Sequence, residues 1–187
     1  VQTALDSTIS RLFDPRAQLV KLFDPPFQDE GPNPGYIRSY GPGFRENGGQ
    51  YTHGAIWLAM ACLRQGRREE GLALLTALLP ESHPPLVYRG EPYVLAADIY
   101  TAPGHVGEAG WTWYTGSAAW FWRVCLEDLL GFTRENGNLV FRGRLPSGWP
   151  SYGVRFLDAA GESHQFSVTD QGISLDGVPY DGSPLPF

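Results

Sequence analysis

Apolar residues recur at helical spacing through the first two thirds of the chain and alternate with polar ones in the last third. Gln2 to Leu12 puts Leu5, Ile9 and Leu12 on one face and predicts a short helix, ended by Asp14-Pro15. Leu19 to Phe23 predicts a short extended segment. Asp24 to Gly43 is rich in Pro, Gly and Asp and predicts a long irregular loop carrying Tyr36, Arg38 and Tyr40. Loops of that length in a compact domain are commonly functional. Thr52 is placed to cap a helix to about Gln65, with Ile56, Met60 and Leu63 inward and Gly66 as its stop. Arg68 to Leu79 predicts a second helix, with Leu72, Leu75 and Leu79 inward, ended by Pro80. The short connection predicts an antiparallel pair. Glu91 to Tyr100 predicts a short helix with Pro92 in its first turn. Thr115 to Gly131 predicts the longest helix, and a first half apolar nearly all round predicts burial on most sides.

After Gly131 the pattern changes. Phe132-Thr133-Arg134 and Leu139-Val140-Phe141 flank Glu135-Asn136-Gly137-Asn138, a hairpin signal. Val154–Phe156, Gln165–Val168, Ile173–Leu175 and Val178–Tyr180 predict further short strands. The fold class is therefore α+β, with a helical region over 1–131 and a small antiparallel β-sandwich region over 132–187. Helical hairpins that feed a Gly-rich, aromatic stretch suggest part of an α/α toroid. Too few helices are present to close one, so the chain is expected to be the C-terminal portion of something larger. It opens on Val1 without an initiator Met, which fits a processed or excised piece.

Composition narrows the chemistry. A net charge of −6, with scattered Arg and Lys, argues against nucleic acid and anionic membranes as partners. Six Trp, nine Tyr and ten Phe among Gly- and Asn-containing loops suit carbohydrate, whose C–H faces stack on rings. Cys62 and Cys125 fall in predicted helices and read as buried free thiols, which fits a reducing, cytoplasmic setting. The start lacks the basic and apolar regions of a signal peptide, and Ala118 to Leu130 is too short and too charged to span a bilayer.

Two polar stretches stand out, each running into a helix: Arg45-Glu46-Asn47-Gly48-Gly49-Gln50-Tyr51-Thr52-His53 and Gly110-Trp111-Thr112-Trp113-Tyr114-Thr115-Gly116-Ser117. The first turn of a helix has unpaired N–H groups and partial positive charge, so Thr115-Gly116-Ser117 is a candidate anion site. Ser and Thr at helix starts are more often plain caps. His53, at another helix start, either adds a donor or bonds a nearby carbonyl. Glu46, Glu91 and Asp98 are the carboxylates available for acid–base work, and no pair of them announces itself as a glycosidic acid. The isolated His53, His83, His105 and His164 do not have zinc spacing, and no nucleotide phosphate loop or Gly-x-Ser-x-Gly elbow occurs. No cofactor or metal is expected.

Both stretches, with Glu91-Pro92-Tyr93-Val94 between them and Leu145-Pro146-Ser147-Gly148-Trp149-Pro150 after them, resemble the C-terminal part of glycoside hydrolase family 94. That family contains inverting cellobiose and chitobiose phosphorylases and the phosphorylase-like region of cyclic β-1,2-glucan synthases. Gln50-Tyr51-Thr52, with Pro34-Gly35-Tyr36-Ile37 upstream, is most similar to the synthase branch. The resemblance implies an (α/α)6 barrel flanked by β domains. It also implies a reaction in which inorganic phosphate displaces a β-glucoside with inversion. On it, His53, Thr115 and Gly116 match the phosphate-binding residues, and Glu91 and Trp113 match positions near the sugar site; Glu46, in the Gly-rich loop where a side chain can reach a ligand, is a further candidate substrate contact. The family's general acid, an Asp in an Asp-Trp-Asn-Asp-like segment, has no match ahead of Arg45, so no catalytic residue is assigned. The chain alone is expected to be inactive, its partners phosphate and a β-glucan oligosaccharide, its parent anchored at an inner membrane. Two alternatives stay open: a stand-alone carbohydrate- or anion-binding module, and a structural piece whose exposed helix faces are covered by self-association or by the other half of a barrel.

Overall fold

Helix α1 (Gln2–Leu12) packs through Leu5, with Ile9 and Leu12 half-buried on the same side. It leads into a small hairpin, β1 (Phe13–Asp14) with β2 (Leu19–Val20). The Asp14 Oδ1 accepts the N–H groups of Arg16 and Ala17 and so bends the chain. The computed structural model describes residues 1–113 and 115–186, without the Thr115 side chain, and separates into two units, Val1–Phe121 and Trp122–Phe187. The predicted long loop is irregular, with a 3-10 turn at Gly35–Ser39. It ends at β3 (Gln50–Tyr51), which runs into helix α2 (Thr52–Arg64).

Helix α2 buries Thr52, Ala55, Ile56, Ala59, Cys62 and Leu63, the i, i+3, i+4, i+7 spacing of one face. Met60 is half-buried. Helix α3 (Arg68–Ala77) lies against α2 but turns a different stripe inward from the one expected. Gly71, Leu74, Leu75 and Leu78 are buried, and Leu72 and Leu79 lie at the margin. Gly71 decides this: a Cβ there would come within 2.6 Å of Leu63 Cγ, so the helices approach closest at the residue without a side chain.

A four-residue helix α4 (Pro85–Tyr88) follows. The helix expected over Glu91–Tyr100 is absent. That segment turns at Pro92 and then extends, with Leu95 to Ile99 all buried and Asp98–Ile99 forming β4 against β3. A short buried apolar run carries no period, so helix and strand look alike in the sequence. Ile99, Ala96, Leu19 and Tyr88 form the core under it.

Helix α5 (Thr115–Val124) continues as a π-helical turn, Cys125–Leu129. Its expected burial is not found: Gly116, Ala118, Ala119 and Trp122 are exposed. An all-round apolar pattern reports what a helix tolerates, not which neighbours the chain supplies. Burial pushes the Cys125 thiol up to about 11. Among the described residues no helix is long and apolar enough to cross a membrane.

The second unit carries two antiparallel sheets. One holds β5 (Phe132–Glu135), β6 (Asn138–Phe141) and β11 (Leu185–Pro186), with β6 central. The other is a meander of β7 (Tyr152–Leu157), β8 (Ser163–Thr169), β9 (Gly172–Leu175) and β10 (Val178–Pro179). Asn136-Gly137 makes the predicted hairpin turn with both residues at positive φ, the geometry of a two-residue loop. Alternate residues of both sheets meet in one core, where the Phe141 and Phe166 rings stack at 4.1 Å. The α+β class thus describes the chain.

His164 on β8 lies between two carboxylates, with Nδ1 2.7 Å from Asp176 Oδ2 and Nε2 3.5 Å from Asp158 Oδ2. The hydrogen bond to Asp176, then that to Asp158, raises its pKa above the ordinary 6.5. Its stabilising effect is complete below that ordinary value and is lost as pH rises through the higher folded one. Between about pH 6 and about pH 8.5 the melting temperature of the wild-type chain should therefore fall more than that of His164→Gln. Parallel curves would contradict this.

Candidate functional site

The stretch from Arg45 to His53 divides into residues that hold the backbone and half-buried candidates for the site. Asn47 is fully buried and acts as a clamp on the long loop. Its Oδ1 accepts the Phe27 N–H at 2.8 Å, and its Nδ2 donates to Phe27 O at 3.0 Å and Tyr40 O at 2.8 Å. Gln50 is equally buried and accepts the Val20 N–H at 2.7 Å, which joins β3 to β2. Gly49 has no room for a side chain, since a Cβ would lie 2.7 Å from Arg45 O. Arg45, Glu46 and His53 are half-buried, each with one polar atom closed to solvent. Arg45 sits in the left-handed region (φ 46), which costs a non-glycine residue about 1 kcal/mol or more.

The second stretch is tied to the first through the segment before β4. The Thr52 N–H donates to Ala97 O at 2.9 Å, and the Ala97 N–H donates to Trp111 O at 2.6 Å. Gly110 N–H donates to Asp98 O at 2.9 Å, and Trp111 N–H to Asp98 Oδ1 at 3.1 Å. Trp113 is also left-handed (φ 61) and exposed. Its indole N–H donates to Glu91 Oε1 at 3.2 Å, and Tyr93 meets its ring edge-on at 6.0 Å. Hydrogen bonding, from Thr112 foremost, holds the Glu91 carboxyl below its usual range.

His53 is walled by rings. Trp57 lies edge-on at 4.9 Å, Trp120 is tilted at 6.0 Å, and Tyr51 is nearly parallel at 6.5 Å. Its Nε2 is shut from solvent and has no hydrogen-bond partner among the described residues. Trp120 stands one helical turn after Gly116 on α5, and residues four apart share a helix face. His53 thus meets α5 through Trp120, which shares a helix face with Gly116. Gly116 is exposed, and a Cβ there would meet nothing within 4 Å, so its backbone is open to approach. Tyr114 and the Thr115 side chain lie outside the described residues; the Thr115 backbone begins α5.

The recorded contacts form three groups: His53 with Trp120 of α5, Glu91 with Trp113, and Glu46 with Arg45, whose guanidinium stacks on Trp111 at 4.4 Å. Trp57 and Trp120 were not singled out from the sequence. Their spacing of four from His53 and from Gly116 is the signal that marks them. Five of the six tryptophans are exposed, so the Trp share of the aromatic surplus is not core packing, whereas Phe141, Phe166 and Tyr88 are. Among the described residues no group of three or more His, Cys, Asp or Glu could hold a metal ion.

The chain thus combines a helical hairpin, an antiparallel β unit, exposed rings and polar loops leading into helix starts. The sequence model of the glycosyl hydrolase 94 superfamily, catalytic domain, matches residues 1–131, and the chain belongs to that family. It is 44% identical over 180 residues to the cyclic beta-(1,2)-glucan synthase NdvB of Rhizobium meliloti, covering 94% of this chain and 6% of that protein. It is 29% identical to the solabiose phosphorylase of Paenibacillus borealis, covering 87% of this chain and 22% of that enzyme. It is 24% identical to the N,N'-diacetylchitobiose phosphorylase of Vibrio proteolyticus, covering 99% and 24%. The chain therefore spans a quarter or less of each relative.

Asn47→Ala removes three hydrogen bonds to part-buried backbone groups of Phe27 and Tyr40 and empties a fully buried side-chain site. It should destabilise the first unit by about 2–4 kcal/mol in denaturant titration. A loss below about 0.5 kcal/mol would show that the clamp is not needed.

Proposed function

We propose that this chain supplies the phosphate-holding side of a phosphorylase-type site acting on β-linked glucan, within a helical layer that forms the C-terminal portion of an (α/α)6 barrel. The observation that carries this is His53: an imidazole with an unpartnered Nε2 among the described residues, ringed by Trp57 and by Trp120 of α5, whose helix face also carries the open Gly116. A helix start concentrates N–H donors and positive potential, and an adjacent imidazole adds a donor or a charge, so a dianion is the ligand this chemistry favours. His53, Thr115 and Gly116 are the proposed phosphate ligands. Glu46, Glu91 and Trp113 are the proposed sugar contacts, with exposed rings for stacking and carboxylates as hydroxyl acceptors. The names of the relatives, a cyclic β-1,2-glucan synthase and several phosphorylases, support a β-linked glycoside as the substrate class.

In this reading phosphate attacks the anomeric carbon from the side opposite the leaving oxygen, and that oxygen must gain a proton. No residue of this chain is proposed as the donor. Asp98 is fully buried, and Glu91 is already bonded to Trp113 and Thr112. The chain alone therefore binds without turnover, since general acid help is commonly worth about 10²–10⁴-fold. The exposed apolar residues of α5 and Trp57 favour a covering protein layer, either the rest of a barrel or a second copy.

Titration with inorganic phosphate, followed by amide NMR, tests the proposal. Gly116 and its neighbours should shift in the wild type and not in His53→Ala. Equal shifts in both, or none in a well-dispersed wild-type spectrum, would remove His53 from the site.

A further inference from the structure

Asp98 has no part in the chemistry described above, yet it is the most constrained carboxylate near the site. It lies on β4, only 1% exposed, with Ala97 and Ile99 buried on either side. Its Oδ1 accepts the Trp111 N–H, and its backbone oxygen accepts the Gly110 N–H. Gly110 and the carboxylate compete for the same space, since a Cβ at 110 would stand 2.4 Å from Asp98 Oδ2. That Oδ2 is closed to solvent and has no hydrogen-bond partner among the described residues. The same holds for Arg45 Nε and Glu46 Oε2, which lie 3.7 Å from each other, beyond hydrogen-bond reach. The Arg45 guanidinium stacks between Tyr40 at 5.3 Å and Trp111 at 4.4 Å.

Burial pushes the Asp98 carboxyl above its usual range. The Trp111 N–H and the Arg45 charge pull it down, and Glu46 pushes it further up. A carboxylate so placed costs stability that an apolar strand residue would not. What it provides is a fixed position for Trp111, a residue 58% exposed although Arg45 stacks on its ring.

We propose that Asp98 is a positioning residue that fixes Gly110 and Trp111 beside the Arg45–Glu46 pair, so that the open side of the Trp111 indole is a platform for a pyranose ring. The C–H face of the sugar stacks on the indole, and the Arg45–Glu46 edge meets its hydroxyls. The identity of the ligand rests on the carbohydrate reading above; the tie between Asp98 and Trp111 does not.

The test uses the 187-residue chain labelled with 5-fluorotryptophan, with the Trp111 line assigned by Trp111→Phe and a β-1,2-linked glucose disaccharide as probe. Asp98→Asn keeps the shape and the acceptor for the Trp111 N–H. It should leave the Trp111 line and its response to the disaccharide in place. Asp98→Ala and Asp98→Leu should move the Trp111 line while the lines of distant tryptophans stay put, and should weaken disaccharide binding at least about tenfold. Asp98→Leu should do so with thermal stability kept or raised, which separates positioning from folding. An unmoved Trp111 line in both apolar variants overturns the proposal, as does an Asn line displaced as far as the Ala line. A wild-type Trp111 line that ignores the disaccharide overturns the platform and the sugar reading together; displacement in the apolar variants would still support the tie.

Discussion

The candidate site depends on one run of backbone, Ala97 to Ile99. Ala97 accepts the Thr52 N–H from the start of α2 and donates its own N–H to Trp111, while Asp98 pairs with Tyr51 and takes two donors from Gly110 and Trp111. Two loops far apart in sequence are thereby fixed on either side of a buried segment. A buried backbone group must find a partner, and here the partners belong to the two loops. The candidate side chains inherit their positions from this arrangement: Arg45, Glu46 and His53 from one side, Trp111 and Trp113 from the other.

Strain gathers at the same place. Arg45 and Trp113, one on each loop, adopt left-handed backbone that non-glycine residues disfavour. Such outliers persist where surrounding structure over-determines them, and they are common at ligand sites. Around Arg45 the surrounding structure is visible: Asn47 clamps the long loop at Phe27 and Tyr40, and Gly49 packs so close that a Cβ there would lie 2.7 Å from Arg45 O. Much of the Glu-Asn-Gly-Gly-Gln motif is therefore scaffold for its two ends.

Helices with a single apolar stripe were legible in the sequence, as α1 and α2 show, and so was the Asn136-Gly137 hairpin. What failed was where periodicity is silent. Leu95 to Ile99 is buried on both sides and reads as helix or strand alike. The inward stripe of α3 follows a close approach at Gly71 that no count of leucines reveals. The exposure of α5 was hidden because composition states what a surface could bury, not what lies beside it. The candidates His53, Gly116, Glu46, Glu91 and Trp113 rest on motifs, whereas the structural parts of Asn47, Gln50 and Asp98 follow only from three-dimensional partners.

Native-state hydrogen exchange on the amides of Thr52, Ala97 and Gly110 tests most directly whether the two loops are held as one body by this run of backbone. If they are, the three amides are strongly protected and exchange together, at the free energy of unfolding the first unit, well above exposed amides of the 24–43 loop. Rapid exchange of Gly110 and Ala97 while Thr52 stays protected would show that the Trp111 loop opens on its own, and would contradict a preformed site.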